Sequence, residues 1–129
     1  MLDLSVIILT YNEEIHIRRC LENVKQFASK VYVVDCFSID RTAQIAKELG
    51  AEVIEHEWPG NQAEQFNWAL DNLPITTEWI LRLDADEYLL PGLIEELLEK
   101  LPVIPESVSA LSLSLSRALS AERYYITVS

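Results

Sequence analysis

The chain has 129 residues, half of them hydrophobic, and a formal net charge of −11. That length suits one domain with a real core. The acidic balance excludes nucleic acid as an expected partner, because phosphate backbones are met by Lys and Arg. An acidic chain can still hold a small phosphate-bearing molecule, provided a metal ion, backbone N–H groups or a helix N-terminus does the holding.

No apolar run approaches the roughly 20 residues that span a bilayer. Met1-Leu2-Asp3-Leu4 lacks the basic segment of a secretory signal. Cys20 and Cys36 have no CxxC spacing and no histidine cluster beside them, so they read as two reduced thiols of a cytoplasmic protein rather than a zinc site.

In chain order, Leu4 to Leu9 is a continuous, β-branched-rich apolar run, the pattern of a strand buried on both faces. Thr10-Tyr11-Asn12 ends it. Asn12 is the expected N-cap of a helix with Glu13 and Glu14 in its first turn and Ile17, Leu21, Val24 and Phe27 at helical spacing. A second strand, Val31 to Val34, ends at Asp35. Asp40 then caps a helix whose inner stripe is Thr42, Ile45, Ala46 and Leu49, with Gly50 terminating it. Ala51 to Ile54 reads as a third strand and His56 to Asn61 as a loop. A helix with Ala63, Phe66, Leu70 and Leu73 on its inner face follows. Glu78 to Leu83 is a fourth strand running directly into Asp84-Ala85-Asp86, and Pro91 suits the first turn of a helix with Ile94, Leu97, Leu98 and Leu101 inward.

Strands alternating with helices predict an α/β fold, Rossmann-like, with a mostly parallel sheet flanked by helices. Ser109 to Ser116 alternates leucine with serine, as a strand with one wet face or a strand awaiting a partner does. Such an edge would favour a homodimer. Tyr124 to Val128 is a candidate further strand.

In parallel sheets ligands bind at the carboxyl ends of the strands, and the unusual polar residues fall there. Asp84, Asp86 and Glu87 put three carboxylates into four residues at a strand exit. Such oxygens suit Mn²⁺ or Mg²⁺, which would take phosphate oxygens as further ligands. The same residues could instead cap the next helix and solvate a turn. Asp35 could accept a hydrogen bond from a base or ribose, or cap its loop. Tyr11 could stack on a base or pack beneath its loop. His16 reads as a surface residue and His56 as a loop histidine. Trp58, Trp68 and Trp79 read as core or half-buried packing. Gly60-Asn61-Gln62 could offer N–H groups to a phosphate. With three glycines in the chain and neither GxGxxG nor GxxxxGK[ST] present, no dinucleotide or P-loop motif is encoded.

Three segments in order, Ser5 to Glu14 (SVIILTYNEE), Val33 to Thr42 (VVDCFSIDRT) and Trp79 to Glu87 (WILRLDADE), resemble the start of a family 2 glycosyltransferase, the large inverting family with a GT-A, nucleotide-diphospho-sugar transferase fold. The similarity runs over roughly residues 3 to 101 and is nearest to bacterial members acting in lipopolysaccharide core or surface polysaccharide synthesis. The resemblance implies transfer of a sugar, with inversion, from a nucleotide sugar, a UDP-sugar being the expected donor, to a sugar or lipid-linked hydroxyl acceptor. It places Thr10 and Asp35 at the base, Glu13 beside the base-binding loop, Asp84 near ribose and diphosphate, and Asp86 on Mn²⁺ or Mg²⁺. Relatives carry Arg or Lys before the asparagine of the third helix. Here Phe66 precedes Asn67, leaving Gln62 or Gln65 to supply the contact. Location in the cytoplasm is implied, at the inner face of the membrane where the acceptor is a lipid.

The whole of 1–129 is expected to form a single nucleotide-sugar-binding domain. Residues 1–101 would be its family-like core and 102–129 an incomplete C-terminal part, as in a chain truncated, frame-shifted or naturally short. No catalytic base is identified: Glu122 has no pattern that selects it. A catalytically incomplete binding module and a dimerising fragment therefore stand as alternatives.

Overall fold

The structure, a computed structural model, describes residues 1–103, 110–112 and 125–128. Its elements are β1 (Leu2–Thr10), α1 (Glu14–Val24), β2 (Ala28–Asp35), α2 (Thr42–Glu48), β3 (Glu52–Glu55), α3 (Gln62–Asn72), β4 (Trp79–Asp84) and α4 (Pro91–Lys100). A 3₁₀ turn (Leu101–Val103), β5 (Ala110–Ser112) and β6 (Tyr125–Val128) follow. They form a six-stranded sheet of order β3-β2-β1-β4-β6-β5. The pairs β1–β2, β1–β4 and β2–β3 are parallel, and β6 runs antiparallel to both β4 and β5. The α/β class expected from the alternation is the one observed.

β1 is the central strand because its side chains are apolar on both faces. Leu4, Val6 and Ile8 enter a core with Ile17, Leu21 and Val24 of α1, Ile45 of α2 and Ile94 and Leu97 of α4. Ile7 points the other way and packs with Tyr32, Val34, Ile80 and with Phe66 and Ala69 of α3. The period-two alternation of strands thus assigns α1, α2 and α4 to one face and α3 to the other. This follows from right-handed crossovers, since the chain moves from β1 out to β3 and then reverses across β1 to β4. The reversal makes the carboxyl ends of β1 and β4 a switch point, where the loops diverge and leave a crevice.

Local chemistry sets the ends of the helices. After α2, Gly50 takes φ +88°, its N–H donates to the Lys47 carbonyl and Ala51 N–H donates to the Ala46 carbonyl, a double clasp that stops the helix. Asp40, one residue ahead of the cap position, accepts the Thr42 N–H and hydroxyl and also the Glu14 N–H, so one carboxylate serves the starts of α2 and α1. Burial pushes this carboxyl upward, but those hydrogen bonds outweigh it and hold Asp40 below its ordinary value.

Three local expectations are corrected. Asn12 does not cap α1. It adopts φ +52°, its Oδ1 accepts the N–H of Ile39, and α1 begins at Glu14 with Glu13 at the cap position. The inner stripe of α3 is Gln65, Phe66, Ala69 and Leu73, with Ala63 and Leu70 turned outward. Leu98 of α4 is also exposed. β5 finds its partner in β6, while residues 109 and 113–116 of the alternating segment lie outside the described residues, as does Glu122. Among the described residues no helix is long and apolar enough to cross a membrane.

Candidate functional site

At the carboxyl ends of β1, β2 and β4 lies a cleft of ≈ 320 Å³. Leu9 and Val34 form an apolar floor, Thr10, Tyr11 and Glu13 one wall, and Asp84 and Asp86 the other. Gln62 and Gln65 enter from α3, and Trp58 stands at the margin, 48% exposed. An apolar floor with a few convergent polar groups is the usual make-up of a small-molecule site.

The β4 exit concentrates negative charge. Oxygens of Asp84, Asp86 and Glu87 lie within 4.8 Å of one another. Glu87 is buried, and its Oε1 accepts the Asp84 N–H at 2.8 Å, while Glu87 N–H closes a turn onto the Asp84 carbonyl. Asp86 is exposed and Asp84 half-buried. The donor set is hard and anionic, which fits Mn²⁺ or Mg²⁺. Among the described residues lining the cleft there is no Lys or Arg.

Glu13 feels this charge. Burial raises its carboxyl above the ordinary 4.5, His16 at 3.5 Å pulls it down, and Asp86 and Asp84 push it up. The folded state therefore holds this proton more tightly than the unfolded chain does. Stability from this group is present below pH 4.5 and is lost as pH rises through the folded value. Glu13→Gln is accordingly expected to melt above the parent at neutral pH, with the gap closing in acid. Parallel melting curves across pH would show that Glu13 is not under this strain.

The two loops over the switch point are laced together. The Thr10 hydroxyl donates to Asp35 Oδ1 at 2.7 Å, as does Ser38 Oγ at 2.6 Å, and Ser38 N–H donates to Asp35 Oδ2 at 2.8 Å. Asn12 N–H donates to Ser38 Oγ, Glu13 N–H to Thr42 Oγ1, and Arg41 N–H to Glu14 Oε1. Asp35 has 0% exposure. It faces the α1–α2 side with Val33, and its neighbour Cys36 takes the place on the cleft side with Val34. Phe37, at φ +51°, is thrown outward between them.

The structure thus brings Thr10, Tyr11, Glu13, Gln62, Asp84 and Asp86 to one cleft. Asp35 lies behind the wall as its internal brace. Asn67 is exposed on α3 and is not among the lining residues. Cys36 and Trp58 are not among the contacts the sequence predicts, whereas Gln65, expected as the alternative to Gln62, is in the lining. Strand parity gives the signal for Cys36, since it shares the parity of Val34. Trp58 is half-exposed at the cleft, whereas Trp79 is buried in the core. His56 is more than a loop residue: its ring stacks on Trp68 at 3.8 Å, and its Nδ1 lies 2.7 Å from Gln65 Oε1. That pairing is why a glutamine 1% exposed can sit on the inner face of α3. The N-terminus of α3 is closed by Asn61, whose Oδ1 accepts the Glu64 N–H. Its first N–H groups are therefore partly taken.

Sheet order, switch-point cleft and acidic strand exit define an α/β nucleotide-diphospho-sugar transferase fold. Residues 5–116 match Glycosyl transferase family 2, and the chain belongs to that family. It is 38% identical over 97 residues to an uncharacterized glycosyltransferase of Rickettsia typhi, covering 75% of this chain and 32% of the relative. The chain spans about a third of the length of such relatives. Among solved structures it is similar to the mannosyltransferase of Pyrobaculum calidifontis in complex with GDP-Man and Mn²⁺, with TM-score 0.69, 24% identity, and coverage of 85% of this chain and 34% of that one. It is also similar to glucosyl-3-phosphoglycerate synthase of Mycobacterium tuberculosis in complex with Mn²⁺, UDP and glucosyl-3-phosphoglycerate, with TM-score 0.61, 18% identity, and coverage of 83% and 42%.

Proposed function

We propose that this chain is the donor-binding part of an inverting glycosyltransferase that uses a nucleoside diphosphate sugar, with UDP as the expected nucleotide. Residues 1–101 would be its nucleotide-sugar-binding core. The observation that carries the reading is the convergence of Asp84, Asp86 and Glu87 on a cleft whose described lining has no cationic side chain. A diphosphate would be repelled there unless a divalent cation came with it. The complexes of the two similar structures, with GDP-Man and Mn²⁺ and with UDP and Mn²⁺, support this.

Asp86 and Asp84 would hold the cation, and buried Glu87 would orient the turn that presents them. A bound Mn²⁺ or Mg²⁺ supplies Lewis-acid stabilisation of the departing diphosphate. Leu9 and Val34 would seat the base against the floor. Tyr11 and Trp58 offer aromatic surface at the margins, and Gln62 offers its amide nitrogen from α3, its Oε1 accepting from Arg82, while Gln65 stays bonded to His56. Thr10 acts through Asp35 to fix the wall. In the reaction the acceptor oxygen would bond to the anomeric carbon as its bond to the diphosphate oxygen breaks. The hydroxyl proton would pass to a base that the described residues do not identify. The sequence resemblance supports a sugar or lipid-linked acceptor in cell-surface polysaccharide or lipopolysaccharide synthesis, and action in the cytoplasm at the membrane's inner face.

In a second reading the chain binds a nucleotide sugar and does not transfer it. Calorimetric titration of UDP and of GDP, with Mn²⁺ and again with EDTA, tests the shared core of both readings. Metal-dependent binding is the expected result, and absence of binding in every condition would reject it. Transfer assays then separate the two. Thiol labelling gives a structural readout on the same sample. Cys36 lines the cleft, while Cys20 is buried with its thiol pushed up to about 12 by burial and by the negative charge of Glu87. The thiolate is the reactive form, so Cys36 is expected to be alkylated and Cys20 spared. Bound nucleotide with Mn²⁺ should protect Cys36, and equal labelling with and without nucleotide would place the ligand elsewhere.

A further inference from the structure

We infer that α1 is a splint for the acidic turn: Asn23 and Arg19 are positioning residues that hold the segment from Asp84 to Leu89 in the shape that brings the carboxylates together. The inference rests on the metal reading above but is anchored in contacts of the protein alone.

Three carboxylates gathered within 4.8 Å should drive their loop apart when no cation is bound. The segment between β4 and α4 has no helix or strand of its own to resist this. It is instead tied to α1 along its length. Asn23 clasps Leu89 through two bonds of 2.8 Å, Nδ2 donating to the Leu89 carbonyl and Oδ1 accepting the Leu89 N–H. That pair copies the exchange between two antiparallel strands, and it fixes the far end of the turn beside a leucine that is itself in the core. One helical turn earlier, Arg19 Nη2 donates to the Asp86 carbonyl at 3.3 Å, and its guanidinium lies 4.6 Å from the centre of the Tyr88 ring. Beside it, Cys20 Sγ contacts the Asp84 carbonyl at 3.9 Å. Positions 19, 20 and 23 share one side of α1, so a single helix face reaches the start, middle and end of the turn.

These ties run to the main chain and to the Tyr88 ring. Asp86 is thereby oriented without spending its carboxylate oxygens, which stay exposed for a cation. Groups that orient metal ligands in this way typically affect affinity by about 10–100-fold.

Arg19 gives the inference a sign. Acting only as a nearby positive charge, it would repel Mn²⁺, and its removal would tighten binding. Acting as a positioning residue, its removal should weaken binding.

The test uses the full chain and Mn²⁺ alone. Amide exchange is read without metal and Mn²⁺ affinity by calorimetry, for the parent, Asn23→Ala, Arg19→Met and Arg19→Lys. In Asn23→Ala the amides of Asp86 to Leu89 are expected to exchange about tenfold faster while the β1 amides stay protected. Mn²⁺ should bind about tenfold more weakly. Arg19→Met should also bind Mn²⁺ more weakly, and Arg19→Lys should recover part of the loss. Unchanged exchange of the turn in Asn23→Ala overturns the splint whatever the metal does, and tighter Mn²⁺ binding by Arg19→Met overturns the role of Arg19. Should the parent itself take up no Mn²⁺, the metal reading fails, and the exchange measurement alone decides the splint.

Discussion

Replacing Asp86 by alanine is expected to weaken Mn²⁺-dependent nucleotide binding by on the order of 100-fold while leaving the melting temperature nearly unchanged. The two halves of that expectation have separate causes. Asp86 is exposed, and the contact that anchors its segment is made by its backbone carbonyl with Arg19, which truncation of the side chain leaves in place. Surface substitutions of this kind usually stay within about 0.5 kcal/mol. The affinity loss follows from removing the most accessible of three anionic oxygen donors. Glu87→Ala provides the contrast. Glu87 is buried and accepts the Asp84 N–H, so its loss should weaken binding and also destabilise the fold, by about 1–3 kcal/mol for the abandoned donor. Nucleotide titration with and without EDTA, paired with thermal melts, separates the two variants. Asp86→Ala binding UDP as tightly as the parent in Mn²⁺ would remove Asp86 from the proposed metal site.

The fold was legible because its signals repeat. Leu4 to Leu9 and Val31 to Val34 are runs too apolar for a one-faced strand, and Glu78 to Leu83 is a further strand-like run. The helical spacing between them leaves one arrangement that buries both sides of the sheet. The strand ends carrying Thr10, Asp84 and Asp86 were legible for the same reason, since they sit where the apolar run stops. What was not legible depends on partners distant in sequence. Asn12 is a good N-cap by residue type, but an asparagine is equally able to take a left-handed turn, and its bond to Ile39 decides for the turn. The burial of Gln65 on the inner face of α3 was hidden because a polar residue is expected to face outward, and His56 supplies the partner that lets it turn inward. Leu70 misled in the opposite direction, being apolar yet exposed. Asp35 and Cys36 are placed by strand parity: with Val34 on the cleft floor, Cys36 faces the ligand side and Asp35 the opposite one.

That placement of Asp35 leads to the largest stability effect expected in the chain. Asp35→Ala should destabilise the protein by about 3 kcal/mol, since it leaves three donors without their acceptor at a cost of about 1–3 kcal/mol for each that stays buried. The carboxylate has 0% exposure and receives three donors, the Thr10 hydroxyl, the Ser38 hydroxyl and the Ser38 N–H. Alanine would leave the buried Thr10 hydroxyl and the two part-buried donors of Ser38 without their acceptor. Asp35→Asn separates geometry from charge. An amide oxygen in the Oδ2 position still accepts the Ser38 N–H, and the amide nitrogen in the Oδ1 position can donate to hydroxyl oxygens of Thr10 and Ser38, because hydroxyls can turn. A loss of about 1 kcal/mol is then expected, from the hydroxyl protons that must find new acceptors. Denaturant melts rank the three proteins. The functional consequence follows from the lacing of the loops: with Asp35 gone, Ser38 no longer holds Asn12, and Tyr11 and Glu13 lose their fixed place on the cleft wall. Asp35→Asn should therefore keep nucleotide binding close to that of the parent, in line with a carboxylate that braces the wall from behind. A collapse of affinity in a stably folded Asp35→Asn would show instead that the charge of Asp35 is read directly by the ligand.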